Sequence, residues 1–211
     1  MLHVCPSCGK YSEDMLFSAD KSEAVCPVCG ASQPIRRYPL FWITGASCAG
    51  KSTVSRELFL QDNGLFVLES DILWDEKWEA MGDRYRAYRR TWLRVCQNVC
   101  QQAGKPALLC GCCEPSQFAG LSETEFFTGI HFLAVVCRDE VLERRMDRRG
   151  MTDPGFRSTH RNFNRWFYEN HDKTAPPITL LDTSDLTPAQ AAEQALRWCR
   201  EILAKEMPHA R

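Results

Sequence analysis

The sequence predicts an α/β protein: a five-stranded, mainly parallel sheet flanked by helices, preceded by a small N-terminal unit built on a metal site. Three observations predict it. Apolar runs of strand length recur along the chain, separated by stretches with helical periodicity. One of these runs leads directly into Gly45-Ala-Ser-Cys-Ala-Gly50-Lys51-Ser52, a glycine-rich loop that opens a helix. Near the start, Cys5, Cys8, Cys26 and Cys29 form two CxxC pairs.

A chain of 211 residues is long enough for one full core with a small appendage. Its 44% hydrophobic and 25% charged residues are ordinary for a soluble globular protein. The formal net charge of −1 provides no global basic field for nonspecific nucleic-acid binding. The N-terminus MLHVCPSC lacks a basic region followed by an apolar run, and no apolar stretch approaches the roughly 20 residues of a membrane span. The expected location is the cytoplasm, with no membrane partner. Twelve cysteines are many for this length. Without a secretory signal, those outside the two pairs (Cys48, Cys96, Cys100, Cys110, Cys112, Cys113, Cys137 and Cys199) are expected as reduced thiols filling apolar space.

Residues 1–35 read as a separate zinc ribbon, and 36–211 as the main domain. CPSCGK and CPVCGA are near-duplicates, and the two-residue spacing lets both thiolates of a pair face one cation. Gly9 and Gly30 permit the tight turn behind each pair. Four thiolates complete a closed tetrahedral site, which suits structural Zn²⁺ and leaves no open position for chemistry. A redox role needs a βαβ context that this segment lacks. The intervening YSEDMLFSADKSEAV is short and polar, so ligation has to hold the unit together. Gln33–Pro39, with two prolines and two arginines, reads as the linker.

Leu40–Thr44 is the first strand of the main domain. In the loop that follows, Gly45, Ala46, Ser47, Cys48, Ala49 and Gly50 can turn successive backbone N–H groups around phosphates, and the helix opening at Lys51-Ser52-Thr53 adds its N-terminal partial charge. Lys51 is expected to bridge the β- and γ-phosphates of ATP, and the Ser52 hydroxyl to complete a Mg²⁺ shell. The next strand, Leu65–Leu68, ends in Glu69-Ser70-Asp71. Asp71 either orients an attacking hydroxyl and accepts its proton, or caps the turn that begins at Ile72. Glu69 is a candidate to hold Mg²⁺ through water.

Residues 83–103 read as a helix, with Trp92, Val95, Cys96, Val99 and Cys100 on one face. Its first half carries Arg84, Arg86, Arg89, Arg90 and Arg94, either a solvated face or a clamp on an anionic acceptor. Pro106–Cys110 is the third strand. It closes at Gly111-Cys-Cys-Glu114, without the acidic box of mechanical ATPases, and no guanine-reading NKxD motif is present. His131–Cys137 is the fourth strand. The arginines that follow it, Arg144, Arg145, Arg148 and Arg149, are placed where a mobile lid could deliver one to a nucleotide. Ile178–Asp182 is the fifth strand. Thr187, Pro188 and Gln190 then open the last helix with a capping box. His160 and His171 read as surface residues.

Residues 38–204 resemble the small P-loop kinases of the nucleoside and nucleoside-monophosphate kinase group, relatives of shikimate, gluconate and polynucleotide kinases. The resemblance rests on GASCAGKST at Gly45, LESD ending at Asp71, QAGKPALLCGCCEP from Gln102, the arginine-rich stretch after the fourth strand, and LLDTSDLTP at Leu180. It implies that Asp71 is the acceptor-side carboxylate and that Arg144 or Arg148 are lid arginines. It also implies that the loop Asp182, Thr183, Ser184 forms the adenine-side wall. The expected activity is transfer of the ATP γ-phosphate to a nucleoside, nucleotide or similar small molecule. The alternatives are a nucleotide-dependent binding or regulatory ATPase, and a kinase of polynucleotide ends, with nucleic acid reached through the ribbon. The ribbon is a departure from the usual members of the group.

Overall fold

The computed structural model describes residues 2–18 and 21–208. Three short strands, β1 (Leu16–Ser18), β2 (Glu23–Val25) and β3 (Ser32–Pro34), form an antiparallel sheet. Five further strands are β4 (Leu40–Thr44), β5 (Phe66–Glu69), β6 (Ala107–Cys110), β7 (Ile130–Val136) and β8 (Ile178–Asp182). They form a second sheet in the order β5-β6-β4-β7-β8, and every pair in it is parallel. The helices are α1 (Lys51–Phe59), α2 (Lys77–Ala80), α3 (Arg86–Ala103), α4 (Asp139–Arg148), α5 (Pro154–Asn170) and α6 (Pro188–Glu206). None in the described residues is long and apolar enough to cross a membrane.

The central strand explains the layering. All five residues of β4 are buried, as expected for a parallel strand covered on both faces. Alternation sends Phe41 and Ile43 into one apolar layer with Val54 and Leu58 of α1, Leu142 and Met146 of α4, and Ala195 of α6. It sends Leu40 and Trp42 into the other, with Trp92 and Cys96 of α3 and Phe167 of α5. Strand order reverses at β4, which pairs with β6 on one side and β7 on the other. The crevice beyond its carboxyl end is where ligands bind in open α/β sheets.

Local chemistry sets the helix ends. Gly104, with φ 67°, stops α3 in the left-handed conformation that favours glycine. The Asp153 side chain caps α5 by accepting from the Phe156 N–H, and Pro154 follows in the first turn. The capping box of Thr187 and Gln190 opens α6 as the sequence predicts. The helix expected from residue 83 begins only at Arg86, because Arg84 and Tyr85 take left-handed φ values of 57° and 65°.

Two expectations about the N-terminal unit change. Gln33 and Pro34, read as linker, pair with Ala24 and Glu23 as part of β3. The unit is also not held by ligation alone. Leu2, Met15 and Ala24 form an apolar cluster with Phe126 of the main body, and the Phe17 and Phe126 rings lie 5.6 Å apart. Around this contact, Arg94 reaches Glu13 and Asp14 at 3.3 Å, Arg90 pairs with Asp14, and both arginines share the buried carboxylate of Glu123. Of the four arginines on α3, Arg90 and Arg94 therefore neither form a solvated face nor clamp a ligand; they fasten the ribbon.

Candidate active site

The loop after β4 is shaped by close contacts. Gly45 has φ 140°, and a Cβ there would sit 2.2 Å from the Val135 carbonyl oxygen of β7. Gly50, at φ 118°, precedes the first residue of α1. Between them Cys48 holds φ 68°, a left-handed conformation that costs a non-glycine residue about 1–2 kcal/mol. Its neighbours supply compensating contacts. The Ser47 N–H donates to His160 Nδ1 at 3.2 Å, and the Cys48 thiol lies 3.4 Å from Met151 Sδ and 3.9 Å from an Arg149 nitrogen. Behind the loop, the Ala49 carbonyl accepts from Arg145 at 2.7 Å and from the Thr183 hydroxyl at 2.9 Å. Lys51 Nζ donates to the Ala46 carbonyl at 2.9 Å.

These elements enclose a cleft of about 340 Å³, bounded by the loop and the first turn of α1, by Arg145, Arg148 and Arg149, and by Thr183, Leu186 and Pro188. Ser47, Cys48, Gly50, Lys51, Ser52 and Thr53 face it, whereas Ala46 and Ala49 are fully buried and serve as backbone supports. Thr183 lines the cleft, but its neighbours do not. Asp182 accepts from the Tyr168 hydroxyl at 2.7 Å and the Ser184 N–H at 2.8 Å, and the Ser184 hydroxyl accepts from the Arg138 N–H at 2.8 Å. Arg148 lines the cleft. Arg144 lies on the exposed face of α4, away from it.

The segment expected as a mobile lid is a regular helical pair, α4 and α5. Arg157 bonds to Glu143 and Asp147, Arg161 lies 3.2 Å from Glu143, and Arg165 lies 2.8 Å from Asp139. Sequence reasoning named Arg145 among four arginines but singled out Arg144 and Arg148; Arg145 shares the inward stripe of Val141, Leu142 and Met146 at helical spacing, and that stripe was the available signal. It also misplaced His160, which is half-buried and lies against Phe156 at a tilt of 57°, with ring centroids 4.1 Å apart. Burial, and then the nearby Lys51 cation, push its pKa below the ordinary value, so the imidazole is neutral at pH 7 and free to accept. His171 is half-buried, with Nδ1 3.3 Å from the Ile178 carbonyl oxygen.

On the other side of the loop, Glu69 ends β5, and Asp71 lies within the 3-10 turn Ser70–Leu73, with Ser70 buried between the two exposed carboxylates. Asp71 does not cap that turn; its Oδ1 accepts from the Ser70 hydroxyl at 3.2 Å. Its backbone is fixed from below. The Ser70 carbonyl accepts from the Tyr88 hydroxyl and, at 3.2 Å, from the Trp92 indole N–H. Gly111, at the end of β6, is required here: a Cβ would fall 1.7 Å from Ser70 Oγ. Burial pushes the neighbouring Cys110 thiol up to about 11, with Glu69 and Asp71 adding to the shift and Lys51 opposing it. Ile43 of β4 and Glu69 of β5 both pair with Cys110, so the loop and the carboxylates leave neighbouring strands at the same sheet edge. Arg89 is buried there, bonded to Gln117 at 2.8 Å and to the Cys112 carbonyl, with the Trp42 and Tyr88 rings about it. Arg84 pairs with Glu114 at 2.8 Å. Of the scattered cysteines, only Cys112 is exposed, with its thiol 3.2 Å from the Gly45 carbonyl oxygen.

In the ribbon the sulfurs of Cys5, Cys8, Cys26 and Cys29 all lie within 4.8 Å of one another. Cys5 and Cys29 are 3.6 Å apart, and Cys8 and Cys26 3.9 Å. A tetrahedral ion with bonds of about 2.3 Å needs sulfur separations of about 3.8 Å, so the donors fit one. The Gly9 and Gly30 N–H groups each bond back to the first cysteine of their pair at 2.9 Å. Chiefly through the Cys8 backbone N–H, the Cys5 thiol is lowered to about 7, toward the thiolate that a metal requires.

No family model and no curated protein sequence matches the chain. Solved structures do. A gluconokinase from Sinorhizobium meliloti superposes with a TM-score of 0.55 at 19% identity, over 83% of this chain and 100% of that one. A tunicamycin resistance protein from Deinococcus radiodurans gives 0.55 at 20% identity, over 77% and 95%. A sugar kinase from a Janibacter species gives 0.54 at 19%, over 78% and 95%. At this level of identity the likeness establishes the fold that this chain shares with those proteins.

Proposed function

We propose that the chain transfers the γ-phosphate of Mg·ATP to a hydroxyl of a nucleoside, nucleotide or similar small acceptor. The observation that carries this reading is the register of the sheet: Ile43, just before the phosphate loop, and Glu69, just before Asp71, both pair with Cys110 of β6, which sets the loop and the two carboxylates at the carboxyl ends of neighbouring strands, in a fold shared with small kinases. A protein that only bound nucleotide would not need the peptide that carries Asp71 fixed beside the phosphate loop by two α3 donors to the Ser70 carbonyl.

In this reading the loop amides from Gly50 to Thr53 and the α1 N-terminus hold the phosphates. Lys51 leaves the Ala46 carbonyl to bridge the β- and γ-phosphates. Ser52 would hold Mg²⁺, with Glu69 reaching it through water, and the ion would supply charge neutralisation at the phosphates. Asp71 orients the acceptor hydroxyl and takes its proton as the oxygen bonds to the γ-phosphorus. The bond from that phosphorus to the bridging oxygen breaks, leaving ADP. Arg148 offsets the charge on the transferring phosphoryl group. Arg145 and Thr183 hold the loop from behind, and Leu186 and Pro188 offer the apolar wall for the base. Arg89, buried without a carboxylate partner among the described residues, suits an acceptor bearing an anionic group.

The four ribbon thiolates would hold Zn²⁺ in a closed site that is structural, with no open position for chemistry. The described ribbon residues carry Lys10 and Lys21 against Glu13, Asp14 and Glu23, a balance that favours the small acceptor over a polynucleotide end. The test is ADP formation from Mg·ATP across nucleosides, monophosphates, sugar acids and 5′-hydroxyl oligonucleotides. Turnover stimulated by one acceptor, and lost in both Lys51→Ala and Asp71→Asn, supports the reading. ATP binding with no acceptor-stimulated turnover refutes it in favour of a regulatory ATPase.

A further inference from the structure

We infer that His160 is a positioning residue that holds the phosphate loop in its nucleotide-binding shape, so that α5 serves as a brace for the loop as well as a layer of the fold. The inference rests on the loop's being a nucleotide site, as proposed above. Cys48 is the one non-glycine residue of that loop with a left-handed backbone, φ 68°, and such residues persist only where their surroundings over-determine them. The amide immediately before it is taken up by the imidazole: Ser47 N–H donates to His160 Nδ1 at 3.2 Å, across 113 residues of sequence. Two more contacts reach Cys48 from the segment between α4 and α5, through Met151 and Arg149. The loop's strained residue is thus gripped from the side opposite its glycine supports. The ring itself is fixed by Phe156, one turn earlier on α5, and by partial burial, so its Nδ1 is presented at a constant place.

A neutral imidazole is suited to this task. Its Nδ1 accepts a hydrogen bond from the Ser47 amide without adding a second cation next to Lys51. A preformed loop binds phosphates without first having to order itself, and that is where the affinity gain arises.

Asparagine places its Oδ1 where histidine has Nδ1; glutamine places its acceptor further out, near the position of Nε2; phenylalanine keeps the ring and offers no acceptor. The experiment compares wild type, His160→Asn, His160→Gln and His160→Phe by Mg·ATP dissociation constant and by amide hydrogen exchange of residues 45–50 in nucleotide-free protein. The expected result is about tenfold weaker Mg·ATP binding and faster loop exchange in H160F and H160Q, both largely restored in H160N. Equal exchange in wild type and H160F, or an H160N protein as loose as H160F, overturns the inference. Because exchange is read without nucleotide, a wild type that binds no Mg·ATP would sink the phosphotransferase reading while the brace is still judged on its own.

Discussion

The two flanks of the phosphate loop are built differently. On the nucleotide flank, backbone groups of the loop meet fixed partners: Ala46 meets Lys51, Ser47 meets His160, and Ala49 meets Arg145 and Thr183. The α4–α5 pair behind it is fastened by arginine–carboxylate contacts. On the acceptor flank, the crossover from Asp71 to Tyr85 leaves Ile72, Trp74 and Met81 exposed, at 68%, 45% and 55%. It closes on two consecutive left-handed residues, and its ties are the Ser70 carbonyl at its start, the Arg84–Glu114 pair at its end and the Trp74 and Trp78 rings against Tyr88. The difference follows from what each flank has to recognise. A triphosphate makes the same demands in every nucleotide, so its site can be rigid and carries a motif. An acceptor is distinguished by shape, and shape is set by side chains that no spacing rule fixes.

The contrast can be broken most sharply at Lys51. In Lys51→Ala, acceptor-dependent ADP formation is expected to fall about 10³-fold, since the charge that meets the transferring phosphoryl group is gone. Loss of less than a few-fold would deny the nucleotide flank its role. Trp92→Ala tests the anchor beneath the acceptor flank. It removes a fully buried indole and is expected to cost about 3–5 kcal/mol in denaturant unfolding. Arg145→Met leaves the Thr183 carbonyl without its arginine donor and the Ala49 carbonyl with the Thr183 hydroxyl alone; about 1–3 kcal/mol of stability and weaker Mg·ATP binding are expected together. Tyr88→Phe is the complementary change, costing about 1 kcal/mol. It should lower turnover with acceptor and leave the Mg·ATP dissociation constant unchanged; movement of both would show that the flanks are not separable.

The smallest effect concerns the ribbon's fastening. Burial is the largest single influence on the Glu123 carboxyl and raises it, but the hydrogen bonds from Arg90, its own backbone and Arg94, with the Arg90 charge, together outweigh burial and hold the group below its ordinary 4.5. A carboxyl depressed by folding adds stability above its unfolded pKa and loses that contribution as pH falls through the folded value. Wild type should therefore lose stability below about pH 4.5 more steeply than Glu123→Gln, as read from melting temperature against pH. Parallel curves would mean the cluster does not hold the ribbon.

The same contrast governs what was legible in the sequence. Strand–loop–helix order, the capping box of α6 and the four thiols are local patterns, and the structure has them where the residues place them. Arg145 was legible in principle from the inward stripe of α4, yet resemblance pointed to its neighbour Arg144. His160 was not legible, because its partner lies 113 residues away and a lone histidine on a polar helix reads as surface. Nor was the docking of the ribbon. Glu13 and Asp14 look solvated on their own segment, as Arg90 and Arg94 do on theirs, and only the tertiary contact gives each its partner.

The central claim is phosphoryl transfer to an acceptor, with Asp71 as the group that prepares it. The most direct test follows the γ-phosphate itself: ATP labelled at that position, mixed with the acceptor found in the turnover screen, in wild type and Asp71→Asn. The account predicts label on the acceptor at the rate of ADP formation in wild type, and a loss of about 10²-fold or more in the variant. Label released only as inorganic phosphate, at the same rate in both proteins, would contradict it.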